Sequence, residues 1–102
     1  ALDTLYSAHS GWLPERDARR VIELLQALRL PVWHPALDER DASGGRRVLN
    51  GLEEFREHLG GELTVLMLEA VGRGFDVHEL DHERLERCMG ELYEITHAVA
   101  PV

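Results

Sequence analysis

Hydrophobic residues recur along the chain with two different periods, and the change of period divides it into elements. Leu2, Leu5, Tyr6 and His9 stand at helical spacing, which predicts a short helix over residues 1–10 that Gly11 stops and no side chain caps at its start. Ala18, Val21, Ile22, Leu25 and Leu28 follow at i, i+3, i+4 and i+7. With Pro14 in the first turn and Glu15 and Asp17 behind it, they predict a second helix that ends before Pro31. Residues 31–41 contain Pro31, Pro35 and the Trp33–His34 pair and read as an irregular connection whose indole covers a neighbouring helix. Val48, Leu49, Leu52, Phe55 and Leu59 mark a third helix over about residues 45–59, stopped by Gly60 and Gly61. Leu52, Phe55 and Leu59 are expected to face the core, with Arg56 and His58 turned toward a cleft or a vacant interface.

The period then shortens. Residues 63–70 are nearly continuous in apolar side chains, and Gly72-Arg73-Gly74 permits a reversal. Beyond it Phe75, Val77 and Glu79 alternate with Asp76, His78 and Leu80, which predicts a β-hairpin. Asp81 suits an N-cap for a last helix with Leu85, Cys88, Met89, Leu92 and Ile95 on one side. The fold class is therefore mainly α with a short β-hairpin. A two-stranded ribbon is marginal by itself. Because both faces of residues 63–68 are apolar and the first helix lacks a cap, a partner surface is expected to complete the unit.

Composition narrows the function classes. The 102 residues suit one domain, 1–102, burying roughly 65% of its unfolded surface. A net charge of −8, with 19 acidic residues and no basic stripe carrying aromatics, argues against a nucleic-acid surface. No apolar run is long enough to cross a membrane. One cysteine, Cys88, excludes an internal disulfide and fits a reducing cytoplasm. All eleven basic residues are Arg, so no lysine base or Schiff-base lysine exists, and any cation at a site is a guanidinium suited to carboxylate or phosphate.

The densest chemistry is in Gly51–Gly61, GLEEFREHLGG, where an acid, a base and a cation meet a helix end. Glu54 precedes His58 by four residues, so the carboxylate can orient the imidazole, although a solvated pair has the same letters. Arg56 projects from another face of the turn. His78 and His82, with Glu79 and Asp81, superficially suggest a metal cluster, but the spacing straddles a strand end and a helix start, and no metal ligand is assigned. No nucleophile elbow, zincin motif or dinucleotide loop is present.

The order of these letters resembles the C-terminal domain of the sugar phosphate cyclases, the superfamily of 3-dehydroquinate synthase. It is nearest to the branch with an EFREHLGG-like signature, that of the sedoheptulose 7-phosphate cyclases and 2-epi-5-epi-valiolone synthase-like enzymes. LPERDARRVIELLQALRLP is similar to a family helix, with Arg29 at the usual glycine, and GGELTVLMLEAVG to a family strand segment. The residues Phe55, Arg56 and Glu57 stand where dehydroquinate synthases carry Asp-Lys-Lys. The resemblance implies a helical fragment of a larger two-domain enzyme whose N-terminal NAD-binding domain is its partner, with zinc histidines upstream of residue 1. It implies NAD and zinc (or cobalt) in the full-length enzyme and no cofactor on this chain, a sugar phosphate substrate, a homodimer, and no activity for the fragment alone. The implied reaction is transient oxidation of a hydroxyl by NAD, phosphate elimination, reduction and aldol closure. His58 would then assist proton transfer or hydrogen-bond substrate, Arg56 would hold an anionic group, and Glu53, Glu54 and Glu57 would orient them. Two alternatives are 3-dehydroquinate synthase itself and a free-standing helical interaction or dimerisation module.

Overall fold

The computed structural model describes residues 1–98, so the last four residues of the expected 1–102 domain lie outside the described ones. The elements are α1 (Leu2–His9), α2 (Glu15–Ala27), a 3₁₀ turn (Pro35–Asp38), α3 (Arg47–His58), β1 (Val65–Ala70), β2 (Arg73–Val77) and α4 (His82–His97). The mainly α class with one hairpin is what the periodicities predict.

Three of the four helices end on the same device. The chain turns into the left-handed region just past the helix, and two backbone N–H groups return to the last carbonyls. At α1 the turn is Gly11, with Trp12 N donating to Ser7 O and Gly11 N to Ala8 O. At α3 it is Gly60, with Gly61 N donating to Arg56 O at 2.9 Å. At α2 the same position is Arg29, at φ 58°, the one non-glycine residue with positive φ among the described residues. α4 opens as expected, with Asp81 accepting from Arg84 N at 3.1 Å. Pro14 is the N-cap of α2 and not its first turn.

β1 and β2 pair antiparallel, Val65 opposite Val77 and Met67 opposite Phe75, with an irregularity between Leu68 and Ala70. The reversal is tighter than the glycines suggested. Gly72, at φ +80°, makes the turn, whereas Gly74 lies inside β2. A β-carbon on Gly74 would come within 2.8 Å of Leu66 Cδ1, so the glycine makes room for a leucine on the facing strand.

α1 joins the layers. Ser7 Oγ donates to Asp3 O and accepts from Leu68 N at 3.0 Å, fastening the helix to the edge of β1. Tyr6 Oη accepts from Asp81 N at 2.8 Å and so ties α1 to the start of α4. The core between them contains Leu5, Tyr6, Ile22, Leu49, Met67, Leu85, Cys88, Met89 and Leu92. Trp33 packs edge-on against Tyr93, so the connection covers α4 as its sequence predicts.

The third stripe departs from expectation. Leu49 is its buried member, Leu52 is half-buried, and Phe55 and Leu59 are 58% and 52% exposed. The helix is present, but its apolar side is not pressed into the core. α3 leans on the 3₁₀ turn and is held largely through polar groups, so the side that the stripe marks is left facing solvent.

Candidate active site

The C-terminal half of α3 forms a polar cluster with the first turn of α4. Glu53 and Arg56, three residues apart, share one face, and Arg56 Nε and Nη2 both donate to Glu53 Oε2, at 3.0 and 2.8 Å. Arg56 Nη1 donates to Gly61 O at 3.1 Å, so the guanidinium also seals the glycine turn. The other Glu53 oxygen, Oε1, faces His82 Nε2 at 3.0 Å. Glu53 is thus shared between a cation on its own helix and an imidazole at the start of α4. The hydrogen bonds and charge of Arg56, followed by the charge of His82, hold the Glu53 carboxyl below its ordinary range. Glu53 in turn pushes the Arg56 guanidinium up.

The remaining predicted residues are placed differently. Glu54, Glu57 and His58 are exposed on α3. Among the described residues no hydrogen bond or ion pair joins His58 to Glu54, although their spacing allows one. Both chains extend into solvent, where a lone exposed pair gains too little to hold one geometry. His58 therefore stands exposed at the helix end. Arg56 is half-buried, with Nε, Nη1 and Nη2 each donating one hydrogen bond.

His82 is the member that sequence reading missed as part of this cluster. It lies 29 positions beyond Glu53, and no spacing rule connects them. His78 goes elsewhere, with Nδ1 at 2.8 Å from Leu63 O and 3.2 Å from Glu62. Among the described residues no three His, Cys, Asp or Glu side chains gather as a metal ion requires. The described residues do not fit a zinc centre, and Gly60 and Gly61 are engaged in ending α3. Cys88 is fully buried and its thiol is pushed up to about 11, chiefly by burial, so it is not a nucleophile at neutral pH.

Two grooves flank the core. One of about 720 Å³ runs between α1, α2 and α4, with Leu5, Ile22 and Ile95 on its floor and the His9–Glu91 contact on its edge. The other, of about 490 Å³, lies between α1, α3 and the hairpin and is almost wholly apolar. Neither is lined by Arg56, Glu53 or His58. With the Arg56, Glu53 and His82 side chains 38%, 40% and 40% exposed, the polar cluster is open to solvent.

An acid, a guanidinium and an exposed histidine thus share the C-terminal half of α3, which Gly60 stops. A comparison with curated proteins matches the 3-dehydroquinate synthase of Azotobacter vinelandii, 31% identical over 87 residues, or 85% of this chain. The similarity supports the broad 3-dehydroquinate synthase family. The chain spans about a fifth of the length of that relative, 22%. No family model matches, and no solved structure matches. Among the described residues no helix is long and apolar enough to cross a membrane.

Proposed function

We propose that the chain is the C-terminal helical part of a cytoplasmic sugar phosphate cyclase of the 3-dehydroquinate synthase kind, a carbon–oxygen lyase that expels phosphate and closes a carbocycle. The observation that carries the reading is the similarity to a 3-dehydroquinate synthase over 85% of the chain. NAD and zinc belong, on this proposal, to the remainder of a longer enzyme, beginning with an N-terminal nucleotide-binding domain, and the 102-residue chain alone is inactive. The complete enzyme is a homodimer.

The roles of this chain's residues are those of a substrate wall. Arg56 donates its outer N–H groups to the phosphate, with its position fixed by Glu53 and Gly61 O. His58 hydrogen-bonds a substrate hydroxyl or passes its proton. Glu54 and Glu57 orient these groups from the exposed side. Charge selects the substrate. Where the family signature has two lysines this wall has one Arg whose charge Glu53 already balances, and Glu57 adds a carboxylate. A seven-carbon sugar phosphate without a carboxylate, such as sedoheptulose 7-phosphate, meets less repulsion here than a heptulosonate, whose carboxylate adds a further negative charge.

The alternative is 3-dehydroquinate synthase itself, favoured by the name of the matching relative. The two readings separate in one assay. The chain joined to the rest of its own enzyme, with NAD and zinc or cobalt supplied, is given each substrate, and phosphate release and carbocycle formation are followed. Preference for sedoheptulose 7-phosphate, with loss of activity in His58→Ala and Arg56→Ala, is the expected result. Preference for the heptulosonate would transfer the assignment to 3-dehydroquinate synthase, and full activity in His58→Ala would remove His58 from the site. A free-standing interaction module is favoured by the exposed apolar side of α3, and cyclisation of neither substrate would leave it standing.

A further inference from the structure

We infer that His82 is the positioning residue of the candidate site: through Glu53 it holds the Arg56 guanidinium in the place from which it meets a substrate anion. The inference rests on the reading of Arg56 as the group that takes the anion, and deepens it. Glu53 and Arg56 both ride on α3, so their pair alone fixes neither of them relative to the rest of the fold. His82 Nε2, 3.0 Å from Glu53 Oε1, reaches the pair from another helix. The carboxylate is engaged on both sides, with Oε2 accepting both Arg56 bonds and Oε1 facing the imidazole.

The anchor is firm at its own end. His82 is the first residue of α4, next to Asp81, whose side chain accepts from Arg84 N and whose N–H donates to Tyr6 Oη at 2.8 Å. Tyr6 is 2% exposed, so the backbone that carries the imidazole is tied to the core. Arg46 fastens the start of α3 to Glu86, and as α3 advances from Arg46 to Glu53, α4 runs back from Glu86 to His82. The Glu53–His82 contact is therefore a second tie between the two helices, about two turns along α3 from the first. It sets the angle of the half of α3 that carries Arg56 and His58.

The guanidinium has rival carboxylates nearby. Glu53 is the main influence on Arg56, and the charges of Glu57 and Glu79 also act on it. Among the described residues neither of those two bonds it. A Glu53 released from His82 can take another rotamer, and Arg56 then follows it or turns to Glu57 or Glu79. A single exposed pair is worth little, and it is the network of three groups across two helices that holds one geometry.

The test has two arms. In the chain alone, nitrogen relaxation at the Arg56 Nε–H reads the order of the guanidinium, and circular dichroism reads the helices. With the helices intact, His82→Ala should lower the Arg56 order parameter, and His82→Gln, which brings an amide N–H toward the place of Nε2, should restore it. In the chain joined to the rest of its own enzyme, with NAD and zinc or cobalt supplied, His82→Ala should raise KM for sedoheptulose 7-phosphate about three- to fivefold and change kcat less, again with rescue by Gln. In a Glu53→Ala background the same substitution should add nothing. An unchanged order parameter would overturn the inference, as would an unchanged KM, a fall in kcat with KM unmoved, or an undiminished effect without Glu53. An enzyme that cyclises neither substrate would sink the functional reading, and the relaxation arm would then uphold or overturn the hold of His82 on Arg56.

Discussion

Leu30 donates its backbone N–H to the Leu25 carbonyl at 2.9 Å, closing a turn that holds Arg29 at φ 58°. The turns after α1 and α3 have the same hydrogen bonds and use glycine. An L side chain in the left-handed region costs about 1 to 2 kcal/mol, and Arg29 is exposed, so nothing evident offsets that cost. Arg29→Gly should therefore stabilise the chain by about 1 kcal/mol, less the added freedom of the unfolded glycine. Urea unfolding with an unchanged m-value would report it, and a loss of stability would show that the arginine stem contributes packing of its own.

Phe55→Ala should cost less than about 1 kcal/mol, because the ring is more than half exposed and little burial is lost. Leu92→Ala, at a residue 1% exposed within the core, should cost about 2 to 5 kcal/mol. The pair measured side by side by thermal or urea unfolding checks which face of which helix is buried. A large loss at Phe55 would mean that α3 packs more closely than its exposure shows.

Arg46 is 6% exposed, donating from Nε to Glu86 Oε2 at 2.6 Å and from Nη1 to Leu37 O at 2.6 Å. It fixes the start of α3 to α4 and to the 3₁₀ turn. Arg46→Ala removes the guanidinium and strands the Leu37 carbonyl, while Glu86 retains some access to water. The expected loss is about 2 to 3 kcal/mol. Arg46→Met, which keeps volume without the charge, should recover part of it, and recovery of none would place the whole effect in the hydrogen bonds.

Acid should act through the Asp41 loop. Hydrogen bonds from Ser43, Asn50 and Gly45 hold the Asp41 carboxyl down at about 2. In the unfolded chain the group titrates near 4. Between those values the unfolded chain binds more protons than the folded one, so stability falls as pH falls through that window and is fully present above it. Glu53 and Asp81, also lowered, act in the same direction. Asp41→Asn should flatten stability against pH between about 4 and 2. A slope equal to the parent's would mean that the loop does not hold its carboxylate.

The elements were legible because each has a period, a cap or a stop. Ala18 and Ile22 reveal α2, Asp81 begins α4, and Gly60 ends α3. What covers an apolar stripe is not written in its spacing. Val48, Leu52 and Phe55 recur as core residues do, yet among the described residues Val48 and Phe55 stay exposed. Arg46 was equally hidden, since an arginine just before a helix has the letters of a surface residue, and its burial depends on Glu86, 40 positions away. In the polar cluster the Glu53–Arg56 pair follows from helical spacing, but the link to His82 exists only after α3 and α4 have been brought together.

Cys88 has a use that follows from its position rather than its chemistry. It is the single thiol in the chain and is fully buried between α4 and the core. A disulfide reagent in solvent can reach it only when α4 lifts away, so the labelling rate at neutral pH counts excursions of the folded chain. If closing outruns labelling, the rate gives the population of the open form; with excess reagent it gives the opening rate itself. Because the sulfur is already in the sequence, these motions can be timed without an introduced probe.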